Sequence, residues 1–387
     1  MYTMNHVSTY VALGTVATVA SVHVVHHRQW YKTVLSELCA YVSEDTVPEV
    51  ETTALVPLKP DTVVIPPLDH LYSVEQLSVA HLKYLFLEAD AMHDLLQNQR
   101  TSTRLQGVVL ANVFYEPSTR TSASFHTAML RLGGSVVPIQ ASVSSACKGE
   151  SLHDTVRCLE RYCDMIVLRH NVEGSAQEAA HISNVPLVNA GDGVGEHPTQ
   201  ALLDVYTIQR ELGWGGWKGE SERPWRVTFV GDLKHSRTVH SLSRLLAKHF
   251  HVTFCFVSPV TLSLPTELSN KFKSYDTVVR DTTDLVEALA ETDVLYVTRI
   301  QKERFATVEE YKAVQGAYCI DKQLLKALPA DSIILHPLPR VDELSTNVDT
   351  DPRAAYFRQM EYGLHVRMAL LAWLIESRQR NKKHAEG

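Results

Sequence analysis

The run Tyr115-Glu116-Pro117-Ser118-Thr119-Arg120-Thr121 follows an apolar stretch at 108–114 and opens a helical pattern at 118–132. Hydroxyls, free backbone N–H groups and a guanidinium gathered at the positive end of a helix dipole are the ingredients of a phosphate site. Capping by Ser118 would use one hydroxyl and leave Thr119, Arg120 and Thr121 unexplained. Arg169 directly follows a second apolar run, 165–168. His197-Pro198-Thr199-Gln200 opens another helix after the glycine-rich segment 189–195, where glycines let a backbone approach a ligand closely. His197 by itself reads equally well as a hydrogen-bonded cap.

The second half of the chain repeats the pattern. Arg237 closes Gly231-Asp232-Leu233-Lys234-His235-Ser236-Arg237, after a strand at 227–230, and Arg299 and Gln301 follow a strand at 294–298. Paired guanidiniums are natural receptors for carboxylates. His336-Pro337-Leu338-Pro339-Arg340 follows a strand at 332–335, and its prolines fix a turn whose carbonyls can accept from a ligand amide. Lys148, in the loop that also carries Ser144, adds one more cation. Cys158 and Cys163, placed in one helix that starts near 151, read as partly buried thiols, and His23, His26 and His27 sit in a tail.

Such residues must be held by strands and helices, and the pattern names them. Short β-branched runs alternate with amphipathic helices, which predicts βαβ units and mostly parallel sheets. The two clearest units pair strand 108–114 with helix 118–132 and strand 135–139, and strand 227–230 with helix 238–250 and strand 252–257. They lie far apart in the chain, so each is assigned its own sheet. A helix is expected at 74–97, a strand at 186–188 and a final helix at 364–376. In open α/β sheets ligands bind beyond the carboxyl ends of strands, which is where every polar cluster above falls.

The chain's 387 residues, 45% hydrophobic and 21% charged, are ample for two globular domains. A net charge of -7 offers no global field for nucleic acid, so anions must be met by local arginines. Six cysteines without a Cys-x-x-Cys pair fit a reducing compartment, and the apolar stretch at 10–25 is too short and too polar to span a bilayer. That stretch reads as a loosely docked tail, with an organellar transit peptide as the alternative. Neither dinucleotide nor P-loop glycine patterns occur.

Ser118-Thr119-Arg120-Thr121, His197-Pro198-Thr199-Gln200 and His336-Pro337-Leu338-Pro339-Arg340, in that order, closely resemble the aspartate/ornithine transcarbamoylase family over residues 69–378. The likeness is strongest to its aspartate branch, of the kind fused into the animal multifunctional pyrimidine protein. The resemblance implies two parallel-sheet αβα domains: a carbamoyl phosphate domain at 68–198 and an aspartate domain at 199–362. A helix at 363–378 returns to the first, and residues 1–67 form an unassigned extension. It implies aspartate carbamoyltransferase activity in pyrimidine (UMP) biosynthesis, a cytoplasmic homotrimer with shared sites, and neither metal nor organic cofactor.

The residues carried over for carbamoyl phosphate are Ser118, Thr119, Arg120, Thr121, Ser144, Arg169, His197, Gln200, Pro337, Leu338 and Pro339. For L-aspartate they are Lys148, Arg237, Arg299 and Gln301, with Arg120, Thr121, Arg169 and His197 catalytic. Two cationic side chains favour a dicarboxylate acceptor over an ornithine ammonium. The rival readings are a transferase for another amine and a catalytically dead assembly partner. Asn171 and Tyr362-Gly363 depart from the family pattern.

Overall fold

The computed structural model describes residues 67–140, 145–213 and 215–386. The expected extension at 1–67 and the tail histidines His23, His26 and His27 lie essentially outside them, as does Ser144. Two parallel sheets carry the molecule. The first contains β1 (Val109–Phe114), β2 (Ser135–Gln140), β3 (Met165–His170) and β4 (Leu187–Asp192), in the order β2-β1-β3-β4. The second contains β5 (Trp225–Val230), β6 (Val252–Val257), β7 (Val278–Thr282), β8 (Val294–Val297) and β9 (Ile333–Leu335), in the order β7-β6-β5-β8-β9.

Central strands read as unbroken apolar runs because both faces are covered. All four residues of β8 are buried, as are Met165 to Leu168 of β3. Edge strands differ: β2 and β7 are largely exposed, and Pro138 sits in β2 at the outer edge, where a missing N–H costs no ladder bond. One core gathers Ala111, Val113, Ile166, Leu168 and Leu187. The other gathers Val230, Val257, Leu295, Val297 and Ile334. Each such buried Val, Leu or Ile contributes about 1.5–3 kcal/mol relative to exposure.

The helices are α1 (Val79–Asn98), α2 (Thr119–Arg131), α3 (Leu152–Leu159), α4 (Ser175–Ile182), α5 (Pro198–Leu212), α6 (Arg237–His249), α7 (Thr266–Lys273), α8 (Leu285–Leu289), α9 (Val308–Val314) and α10 (Tyr356–Glu386). The C-terminal α10 packs against α1, α2 and α5, so it does return to the first half as expected.

Four expectations need correction. The helix at 74–97 is a 3-10 turn, Val74–Gln76, followed by α1, because the Ser78 hydroxyl accepts from the His81 N–H and starts a new helix. Cys163 lies beyond α3; it is buried, whereas Cys158 is exposed on the helix. Strand β4 continues through 189–192, taken as loop, since the Asn189 and Asp192 side chains bond each other and nearby backbone. The last helix starts at Tyr356 and not at 364, so Gly363 lies inside it. A Cβ there would meet Leu203 Cδ2 at 3.0 Å, and the glycine thus allows α10 to lie close on α5.

Buried histidines make this fold acid-sensitive. His240 Nε2 meets the Leu233 carbonyl at 2.8 Å and His249 Nε2 the Leu77 carbonyl at 2.9 Å. Burial pushes each imidazole down to about 4, and His197 is also held well below its usual value. The unfolded chain takes up these protons below pH about 6.5 while the folded chain does not. Their stabilisation is complete above that pH and is lost as the pH falls toward 4. Buried Asp204, pushed up to about 7, acts oppositely and offsets one histidine. The net loss between pH 7 and 5 is about 2 kcal/mol after solvent screening. Urea midpoints at the two pH values test this, and an unchanged midpoint refutes it.

Candidate active site

The carboxyl ends of β1 and β5, each the strand at which its sheet's order turns back on itself, open toward one cavity of about 380 Å³. Its walls come from every cluster named above except the loop of Ser144 and Lys148. Ser118, Thr119, Arg120 and Thr121 line it from the start of α2, Arg169 from the end of β3, and His197 and Gln200 from the start of α5. Arg237 enters from α6, Arg299 and Gln301 from beyond β8, and Pro337, Leu338 and Pro339 from beyond β9. Lys148, exposed in a 3-10 turn, does not line this cavity.

The helix starts settle whether these residues are caps. Ser118, His197 and Ser236 occupy N-cap positions without a side-chain cap bond. Where the chain elsewhere places a hydroxyl or carboxylate at that position, as at Ser78, Ser151, Asp284 and Thr307, the side chain does cap. Three helices thus present uncapped, positive ends to the cavity. His197 is 4% exposed, its backbone N–H donates to Ser241 Oγ at 3.0 Å, and its Nδ1 has no partner among the described residues. Burial, then the charges of Arg237, Arg169 and Arg367, keeps its ring neutral.

Five guanidiniums face this space: Arg120, Arg169, Arg237, Arg299 and Arg367. Such crowding requires counter-charge. Glu116 Oε2 accepts from Arg169 Nε at 3.2 Å and Arg237 Nη2 at 3.4 Å, while Glu303 pairs with Arg299. Burial, followed by the neighbouring Arg237 charge, pushes Arg169 down to about 10, so it remains a cation at neutral pH. Gly191, at φ +117°, is the close approach that glycine permits: a Cβ there would meet Arg237 Cζ at 3.1 Å and Arg169 Nη1 at 3.4 Å. Arg120 has no ion-pair partner among the described residues. Asn171 departs from the family pattern, yet Arg169 still reaches the cavity.

Beneath the cavity floor, Asp204 accepts from Gln200 Nε2 at 2.8 Å, Gln359 Nε2 at 2.5 Å and the Tyr296 hydroxyl at 2.9 Å. This fixes Gln200 from behind. His336 holds the next wall: its Nδ1 accepts from Leu338 N–H at 2.7 Å, so Nε2 carries the proton donated to Glu343 at 2.7 Å. Leu338 stands at φ +55°, a left-handed conformation costly for leucine, which this bond helps to hold. Arg340 takes no part in the cavity; it pairs with Asp349 and lies over the Tyr356 ring at 5.7 Å.

Sequence reasoning missed Arg367, Glu116 and Asp204. Arg367 had a signal, being a lone cation amid Val366, Met368, Ala369 and Leu370 on a buried helix face. It is 5% exposed, burial pushes it down to about 10, and its Nη1 donates to Ser124 Oγ at 2.9 Å.

Known proteins share this fold and sequence. Residues 69–210 match the carbamoyl-P binding domain of the aspartate/ornithine carbamoyltransferase family, and residues 224–374 match its Asp/Orn binding domain. The aspartate carbamoyltransferase catalytic subunit of Methanothermobacter thermautotrophicus is 46% identical over 312 residues, 80% of this chain and 97% of that protein. The multifunctional protein pyr1-3 of Dictyostelium discoideum is 50% identical over 303 residues, 78% of this chain, which spans only 13% of that relative's length. Among solved structures, the catalytic subunit of M. Jannaschii aspartate transcarbamoylase superposes with a TM-score of 0.73 at 46% identity, over 80% of this chain and 98% of that one. Trypanosoma cruzi aspartate transcarbamoylase, in complex with carbamoyl phosphate and aspartate, gives 0.74 at 40% identity over 80% and 99%. With the strand-end cavity and its motifs in place, these matches make the chain a member of the aspartate/ornithine carbamoyltransferase family.

Proposed function

We propose that this chain transfers the carbamoyl group of carbamoyl phosphate to the α-amine of L-aspartate. The products are N-carbamoyl-L-aspartate, a precursor of pyrimidines and UMP, and phosphate. The observation that carries this reading is the convergence of five guanidiniums on one cavity, countered there only by Glu116 and Glu303 among the ion pairs described. A phosphate and two carboxylates supply the missing negative charge. The relatives named above for this activity support it.

In this reading residues 68–198, with the returning C-terminal helix, bind carbamoyl phosphate, and 199–362 bind aspartate. Ser118, Thr119, Arg120 and the α2 N-terminus hold the phosphate, and Thr121, Arg169 and neutral His197 face the carbonyl oxygen. As the amine attacks the carbonyl carbon, charge develops on that oxygen, where these donors stabilise it. The dianionic phosphoryl group of the intermediate takes the amine proton as its C–O bond to the carbamoyl carbon breaks, leaving as the hydrogen phosphate dianion. Gln200, set by Asp204, and the backbone at Pro337, Leu338 and Pro339 orient the carbamoyl amide. No side chain serves as covalent nucleophile; positioning two anionic substrates supplies most of the acceleration, up to about 7–11 kcal/mol in well-oriented cases.

Arg237, Arg299 and Gln301 receive aspartate. Incubating the protein with carbamoyl phosphate and either L-aspartate or L-ornithine, then measuring ureido product, tests the assignment; comparable rates for ornithine refute it. Arg299→Ala removes one charged receptor, worth about 1.5–3 kcal/mol, and is expected to raise the aspartate KM about 10- to 100-fold while carbamoyl phosphate binding persists. An unchanged aspartate KM removes Arg299 from the pocket.

Lys148, exposed and outside its own cavity, together with Ser144, is assigned to a neighbouring subunit's site in a homotrimer. Mixed Arg120→Ala and Lys148→Ala chains then regain activity that neither variant has by itself, and no recovery refutes the shared site. A cytoplasmic location accords with the free thiols at Cys147, Cys158, Cys163, Cys255 and Cys319. No described helix is long and apolar enough to cross a membrane.

A further inference from the structure

Away from the cavity, α1 and α10 bring three metal-binding side chains together. His93 comes from α1, and Glu361 and His365 come from α10, four residues apart and therefore on one helix face. One donor atom from each lies within 4.8 Å of the others. The two imidazoles meet edge to face with ring centroids 5.0 Å apart. The cluster is graded from inside to outside: His365 is 1% exposed, His93 is half-buried and Glu361 is exposed, which leaves a solvent path to the group.

The histidines do not have the partners that buried imidazoles normally find. The Nδ1 atoms of both His93 and His365 are shielded from solvent and have no hydrogen-bond partner among the described residues. An unmade bond of this kind costs about 1–3 kcal/mol in a packed interior, so two at one spot call for an explanation. The Glu361 carboxylate adds a negative charge to the cluster, and the Arg210 cation pairs with Asp90 at 3.0 Å.

We propose that His93, Glu361 and His365 form a binding site for a divalent transition-metal ion of the Zn²⁺ or Co²⁺ class, with water completing the coordination. Imidazole nitrogens with one carboxylate suit this class and not Mg²⁺ or Ca²⁺, which prefer all-oxygen shells. Metal–ligand bonds of about 2.0–2.1 Å place tetrahedral donors about 3.3 Å apart. Small side-chain rotations of half-buried His93 and exposed Glu361 bring them there. The ion would tie the C-terminal helix to α1, half a turn before Arg367 enters the cavity.

Titrating the full chain with Co²⁺ and following its visible d–d absorption tests the site. The expected result is a saturable 1:1 spectrum that Zn²⁺ displaces, with affinity lowered more than about 10-fold by Glu361→Gln or His93→Gln. Both positions reach solvent, so these variants fold even where His365→Ala does not. Zn²⁺ should also raise the thermal midpoint of the unmodified chain and not that of the double variant. The absence of a saturable spectrum overturns the proposal. So does equal Co²⁺ affinity in the double variant, which retains His23, His26 and His27 and would then be reporting binding by the tail.

Discussion

Arg120→Ala lowers turnover about 10²- to 10³-fold, the usual loss when one preorganised electrostatic donor is removed. Fold stability should not follow. Arg120 faces the cavity, makes no ion pair with any described residue, and is lowered in pKa first by partial burial and then by Arg299. No described ion pair or hydrogen bond of the fold uses its side chain, so the urea midpoint of the variant should match that of the parent. Arg120→Lys returns the charge without the planar fork and should recover only part of the rate. Steady-state kinetics beside a denaturation curve separates the two quantities. Near-normal turnover in Arg120→Ala would take the phosphate away from the α2 start.

Gly231→Ala is expected to be the most damaging single methyl group in the second half. Gly231 stands at φ +123° at the end of β5, and a Cβ there would lie 2.0 Å from the Thr298 carbonyl oxygen. A side chain is strained at that angle, and the oxygen it strikes belongs to backbone and cannot swing away. Strain and overpacking together cost roughly 2–5 kcal/mol. The displaced residue is the one before Arg299, so any surviving folded protein should also bind aspartate more weakly. Thermal unfolding and aspartate titration check both effects; a variant that is normal in each would show that the β5 and β8 ends do not need this contact.

Strand ends were the most legible part of the site in sequence. Parallel strands buried on both faces appear as apolar runs, and the polar residues that break each run mark the rim where ligands bind. Arg120, Arg169, Arg237 and Arg299 were reachable for that reason. Edge strand β7 and the short helices α7 to α9 were not, because their partly exposed faces carry no continuous apolar signal. Glu116 was overlooked among the phosphate-site residues because an acid near an expected anion looks misplaced until two guanidiniums are seen to need it. Asp204 bonds Gln359, which lies 155 positions away, and no local spacing could report that contact. Arg367 stood out as a cation in an apolar run, but its partner Ser124 lies 243 positions away, so local spacing could not place it at the cavity.

The bare helix ends at Ser118, His197 and Ser236 have a consequence for how the empty protein behaves. At Ser78, Ser151, Asp284 and Thr307 a polar N-cap side chain bonds its own helix; at these three that step is left to whatever arrives. Folding and recognition therefore share an unfinished task, and an incoming anion acts as the final piece of the architecture as well as its cargo. Heat resistance of the empty and loaded forms would then rank candidate ligands without any turnover being observed.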